Sequence, residues 1–247
     1  MLSDFIDYLM ENYSATLTEL SETGGLDEYC EKVHGEPFIE DDDFRMIDVD
    51  LLACRLPGHN LSSVDGLYVK EKNGQMTFYL IEFKKMDLDN PQTIVKSYYF
   101  LDSHRALCKQ DCKFSQVYGK SRKNLKDRIQ VNLELKPLNT LMLIHRLYIQ
   151  YEAYEKSDQR FQYHFWENYT EDFSENEAIL SEFSNIKYQY IIVYEEEGSF
   201  SPNPYNEGER IRNYFDFLEK LKPYPFTKAF QVNSNDFKYE TLVKIKS

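Results

Sequence analysis

Asp65, Glu82 and Lys84 are the residues of this sequence whose types and spacing can do chemistry. Two carboxylates brought together repel one another, and burying them makes the cost larger. A hard divalent cation with oxygen ligands offsets that cost. Mg²⁺ in particular is usually held by one or two carboxylates, with substrate phosphates completing its shell. A lysine beside such a pair is a compact point charge, suited to hold a water or a phosphate oxygen. The three residues together therefore point to metal-assisted chemistry on a phosphate.

The element that must position them is a hairpin. Two runs rich in β-branched and aromatic residues, Val64 to Val69 and Met76 to Phe83, flank Asn73-Gly74. That dipeptide best supplies the positive φ angles of a two-residue type I′ turn. Such a turn sets Lys72 opposite Gln75, and the same register carried outward sets Asp65 opposite Glu82. Opposite residues of an antiparallel pair project to one face, with Cβ atoms about 5 Å apart. Lys84, two residues beyond Glu82, shares that face. Leu67 and Val69 then lie on the same side as Leu80 and Phe78. A slip of one residue would turn Asp65 to the other face.

Val64-Asp65 followed by Glu82-Phe83-Lys84 on the next strand resembles the active site of the PD-(D/E)xK nuclease superfamily. Val64 stands where that motif commonly has proline. The resemblance implies a restriction-endonuclease-like core, hydrolysis of phosphodiester bonds, DNA as substrate, and Mg²⁺ or Mn²⁺ as cofactor. It implies Asp65 and Glu82 as metal ligands, the backbone carbonyl of Phe83 as a third, and Lys84 as the residue assisting the attacking water. Downstream, Asn90 and Pro91 are suited to the N-cap and first position of a helix. Gln92 in its first turn, with Tyr98 and Tyr99 beyond, is similar to the Gln-x-x-x-Tyr element of the RecB-like branch. Lys96 occupies the place where that spacing would put the tyrosine. The resemblance gives Gln92 the role of orienting groups in the site.

The chain has 247 residues and a net charge of −13, with 20 Tyr and 17 Phe. That is enough for one nuclease-like domain with a sizeable core. Its parts are a helical N-terminal stretch over 1–43, a core over 44–150, and an elaboration over 151–247 that completes the sheet. The acidic balance excludes a general nucleic-acid coat, whose affinity comes from Lys and Arg. Positive charge is concentrated locally: residues 103–136 hold nine Lys or Arg against three acids. Within them Arg122, Lys123 and Lys126 lie on a helix running from Ser121 to Lys136 and are the candidates for phosphate contacts. The start of the chain shows no secretory signal and no apolar run has the length of a membrane span, so a cytoplasmic location is expected.

The remaining elements follow from periodicity. Residues 2–12 and Leu26 to Val33 have helical spacing, and Glu40 to Asp43 is an acidic loop. Phe44 to Leu52 reads as a strand with Asp48 and Asp50 on one face, which makes them the competing carboxylates. Pro137 is expected to end the basic helix, and Thr140 to Ile149 reads as a buried strand with a packed His145. Ile186 to Glu195 is a further strand, and Ile211 to Leu221 a helix ended by Pro223. A last strand pair or short helix closes the chain. The fold class is thus α/β, a mixed central sheet flanked by helices. His104, Cys108 and Cys112 share a helical face but lack the paired clusters of a zinc site. Cys30, Cys54, Cys108 and Cys112 are expected as reduced, buried thiols.

A rival function is a catalytically inactive nuclease-like fold that serves as an acidic protein-interaction module. Its surface would be the aromatics of 151–182, and its partner a second copy or another protein. The two functions differ in whether Mn²⁺ binds.

Overall fold

Asn73 and Gly74 both take left-handed backbone angles, with φ of 55° and 73°, as a type I′ turn requires. The turn sets the register of the strands on either side: Lys72 pairs with Gln75, and the ladder runs without a slip to Gly66 and Ile81. The computed structural model describes residues 2–22, 26–27, 29–37, 39–56, 62–87, 115–155, 181–197 and 216–247.

The hairpin, β3 (Gly66–Lys72) and β4 (Gln75–Asp87), is the centre of a six-stranded mixed sheet. On one side lie β2 (Arg45–Asp48) and the short β1 (Ser14–Thr16), both in antiparallel pairings. On the other side β5 (Lys187–Glu197) and β6 (Phe226–Asn233) run parallel to β4. Parallel neighbours need a crossover. Here the long helix α4 (Ser115–Glu155) lies in the connection between β4 and β5.

Alternation along the strands divides the core into two. Leu67, Phe78, Leu80, Tyr190 and Ile192 face α1 (Leu2–Tyr13), α3 (Val49–Cys54) and the Leu133–Tyr148 part of α4. Met46, Ile81, Phe83, Ile191 and Val193 face α2 (Leu17–Leu20) and the C-terminal helical turns, through Phe237, Leu242 and Ile245. The structure is therefore α/β with helices on both faces of a mixed sheet. Among the described residues no helix is long and apolar enough to cross a membrane.

Several expectations are corrected. Residues 140–149 are not a strand: the basic helix continues through Pro137 to Glu155. A short apolar run fits a buried strand and a buried helix equally well. Proline inside a helix removes the N–H that would bond the carbonyl four residues back. That carbonyl belongs to Leu133, and it accepts a 3.1 Å hydrogen bond from the buried Tyr190 hydroxyl of β5. The sheet thus supplies the donor that the helix lacks. Tyr190→Phe should leave the carbonyl buried without this donor and cost about 1–3 kcal/mol, read by chemical denaturation. Unchanged stability would mean that the hydroxyl is not what makes Pro137 tolerable.

Phe44 to Leu52 is not one strand. Asp48 ends β2 and caps α3, its Oδ1 accepting from Leu51 N–H at 2.8 Å. Aspartate at such a position competes well with strand pairing. Leu26 to Val33 is not helical either: Leu26 bridges Lys32, and Cys30 has a left-handed φ of 61°. The thiols of Cys30 and Cys54 are not free but joined in a disulfide, with Cα atoms 5.8 Å apart. Cysteine usage consequently no longer argues for a reducing compartment. The C-terminus is a single strand, β6, followed by helical turns. The expected helix at 211–221 is a 3₁₀ turn over Asp216–Leu221 in its described part. The helix from Asn90 with Gln92, Tyr98 and Tyr99, the residues His104, Cys108 and Cys112, and 156–180 of the stretch 151–182 lie outside the described residues.

Candidate metal centre

The face that carries Leu80 also carries Glu82, two residues further along β4, and Asp65 stands immediately before the first residue of β3. The ladder stops at Gly66 and Ile81, and Asp65 takes over where it ends. Its Oδ2 accepts the Phe83 N–H at 2.5 Å, and its backbone carbonyl accepts the Val49 N–H at 3.1 Å. Asp65 is thus held by β4 on one side and by the start of α3 on the other. In an extended strand the N–H and C=O of one residue leave on the same edge. The Phe83 carbonyl is therefore directed to the edge where Asp65 lies.

Glu82 is fully buried, with no accessible surface. Two ammonium groups meet its carboxylate. Lys84, from the same strand and face, is 2.5 Å from Oε1. Lys136, from α4, donates to both Oε1 and Oε2, at 2.8 and 2.9 Å. The same Lys136 Nζ lies 3.8 Å from Asp65 Oδ1. One buried ammonium therefore bridges the two carboxylates that the hairpin brings together.

The local backbone fixes this meeting point. Thr140 Oγ donates to the Lys136 carbonyl and accepts the Val64 N–H, both at 3.0 Å. Asn139 donates to the Ser62 carbonyl at 3.0 Å. The turn of α4 that carries Lys136 is in this way tied to the segment that carries Asp65.

Electrostatics follow from burial. Desolvation pushes the Glu82 carboxyl up from its ordinary range, and repulsion from Asp65 adds to it, while Lys84 and Lys136 pull it back. Asp65 is likewise raised by desolvation, against the pull of Lys136. Burial alone would lower Lys136, but Glu82, Asp65 and Asp50 more than offset it and hold the ammonium charged. Two carboxylates and two ammonium groups thus share one largely buried site.

The competing carboxylates separate. Asp48 pairs with Lys32 at 3.6 Å and caps α3, outside the cluster. Asp50 accepts from Ser63 Oγ at 2.7 Å and interacts electrostatically with Lys136 and Glu82. It borders a cleft of about 260 Å³ shared with Asp27, Ser62, Ser63 and Cys54. Among the described residues no three His, Cys, Asp or Glu side chains form a ready cluster for a metal. The candidate donors are two carboxylates, each already met by an ammonium group, and a carbonyl. That set suits a cation such as Mg²⁺, which keeps several waters and takes few protein ligands.

Arg122, Lys123 and Lys126 lie on α4, upstream of Lys136. Gln92 lies outside the described residues. His145 is a packing residue, 4.3 Å from the Phe183 ring, with a pKa lowered to about 4 by burial. Comparison with family models, curated proteins and solved structures finds no match to this chain.

Proposed function

We propose that this protein is a metal-dependent nuclease that hydrolyses phosphodiester bonds of DNA. One observation carries the reading. The hairpin ends with Asp65 and Glu82 against the same buried ammonium, that of Lys136. The order of elements is consistent with it: an antiparallel hairpin, a crossover that includes a helix, then a strand parallel to the second hairpin strand. This is the arrangement expected of a restriction-endonuclease-like core of the PD-(D/E)xK type. Fold by itself does not assign function, so the weight rests on the site.

Asp65 and Glu82 would hold Mg²⁺ or Mn²⁺, with the Phe83 carbonyl beside them. When bound, the cation supplies stabilisation of charge on the phosphoryl and leaving oxygens. Lys84 is the outer of the two lysines, its side chain 32% exposed. It is placed to orient a water or a phosphate oxygen arriving from solvent, and to hold or release the proton there. Apolar residues around Glu82, such as Leu80 and Ile192, exclude bulk water and so strengthen each of these interactions. Gln92 is retained as the residue expected to orient groups near the site.

The test is cleavage of labelled DNA with and without a chelator. Cleavage should vanish with EDTA and return with excess Mn²⁺ or Mg²⁺. Hydrolysis that continues undiminished in the chelator would sink the reading. DNA binding should involve the basic part of α4. At 1.5 Å per residue, Lys126 and Arg122 stand about 15 and 21 Å along the helix from Lys136, a span that reaches over several phosphates. Replacing Arg122, Lys123 and Lys126 together by Ala should flatten the log–log salt dependence of binding by about two to three units. An unchanged slope would return this stretch to a solvated face.

A second reading has one observation in its favour. Lys136 and Lys84 together already neutralise the carboxylate pair, as they would in an inactive nuclease-like fold acting as an acidic protein-interaction module. Isothermal titration with Mn²⁺ separates the two, since that module has no need of the cation.

A further inference from the structure

Glu82 has two ammonium partners, and the proposed chemistry uses one. Lys84 stands at the solvent side. Lys136 is the inner one, its side chain only 11% exposed. It contacts both oxygens of Glu82 and approaches Asp65. A cation liganded by both carboxylates would take the same position. Mg²⁺ sits about 2.0–2.1 Å from each ligand oxygen. An ammonium 2.8 Å from the same Oε1 would be pressed against it, like charge on like charge. The two occupants compete for the space between the carboxylates.

The backbone around Lys136 is anchored by side-chain hydrogen bonds. Thr140 ties the Lys136 carbonyl to the Val64 N–H, and the Tyr190 hydroxyl holds the turn at Leu133. Only the side chain is free to exchange, and a four-carbon stem with a compact head is suited to that. We infer that Lys136 is a resident counter-ion of the Asp65–Glu82 pair, occupying the divalent cation's place, and that cation binding displaces its ammonium toward the substrate phosphate. This inference rests on the metal-dependent reading above. It adds that the apo site is preserved by its own lysine, and that metal affinity is set by competition with it.

The experiment is isothermal titration of MnCl₂ into the metal-free full chain, with the thermal unfolding midpoint read at each Mn²⁺ concentration. The wild type is compared with Lys136→Met, Lys136→Gln and Lys84→Met. Removing the competitor should tighten Mn²⁺ binding about tenfold in Lys136→Met, and less in Lys84→Met. Without metal, Lys136→Met should unfold at a lower temperature than the wild type. It should regain more of the loss on adding Mn²⁺, because a ligand stabilises the state it binds. If Lys136→Met does not fold in either condition, Lys136→Gln, which keeps a donor but no charge, gives the same comparison. Equal or weaker Mn²⁺ binding in the Lys136 variants, with clear binding by the wild type, overturns the inference alone. No binding by any of the proteins overturns the metal reading and the inference together.

Discussion

Glu82→Ala is expected to abolish metal-dependent hydrolysis and also to destabilise the fold. The loss of rate should be on the order of 10² to 10³ or more, the scale of losing one group that stabilises charge in the transition state. The stability effect reverses what the sequence alone implies. Two carboxylates facing each other suggest that removing one relieves repulsion and leaves the fold intact or more stable. In the structure Glu82 is instead the shared partner of two lysines, and one of them, Lys136, is buried. Removing it leaves that ammonium with Asp65 at 3.8 Å as its nearest acid. Breaking one side of a buried ion pair typically costs 3–5 kcal/mol, and about 3 kcal/mol is expected here because Asp65 remains. Glu82→Gln should lose activity to the same degree but less stability, since the amide oxygen still accepts one of the bonds. Rates in Mn²⁺ and urea unfolding of both variants check this. A Glu82→Ala protein as active as wild type would remove the metal assignment. One more stable than wild type would show that repulsion, not pairing with the lysines, dominates at this site.

The hairpin was legible because its determinants are local. Asn73-Gly74 fixes the turn, alternation fixes the faces, and together they place Asp65 and Glu82 without any long-range information. Lys136 was hidden by a different kind of fact. Proline normally ends a helix, so the chain reads as broken at Pro137 and Lys136 as the last exposed residue of a basic helix. The hydrogen bond that lets the helix continue comes from Tyr190, 57 residues away, and no local rule contains it. One signal was present. If the period of Thr140, Leu143, Ile144 and Leu147 is carried back through the proline, Lys136 and Leu133 fall on the same buried stripe. A lysine on such a stripe requires an acid, and Glu82 is that acid. The Cys30–Cys54 disulfide is likewise decided by partners outside each cysteine's own segment. Spacing alone gives no means of choosing them.

Gly66→Ala should weaken the fold and disable the site by a steric route that involves no charged group. Gly66 is the first residue of β3, directly after Asp65, and is paired with Asp48 on β2 and Ile81 on β4. It faces the sheet side opposite the carboxylates, where Met46 packs over it. A Cβ at this position would come 2.4 Å from Met46 Sδ and 3.2 Å from Met46 Cγ, with Leu20 Cδ1 at 3.4 Å. A flexible methionine end could yield, but Met46 is fully buried among Leu20, Phe44 and Phe83. Overpacking of this kind costs about 1–3 kcal/mol. The alternative is for β3 to move away from β2, and Asp65 moves with it. A displacement of about 1 Å in a positioning group is enough to cost on the order of 10² in rate. The prediction is therefore a loss of stability and a larger loss of metal-dependent cleavage, with no change in the residues proposed to do the chemistry. Met46→Val removes the sulfur that the new Cβ would strike. The pair Gly66→Ala, Met46→Val should recover cleavage relative to Gly66→Ala alone, even though Met46→Val by itself loses packing. A double-mutant cycle in activity measures this coupling. Additive losses, or a Gly66→Ala protein with wild-type rate and stability, would show that the position of Asp65 does not depend on the close approach of β2 and β3.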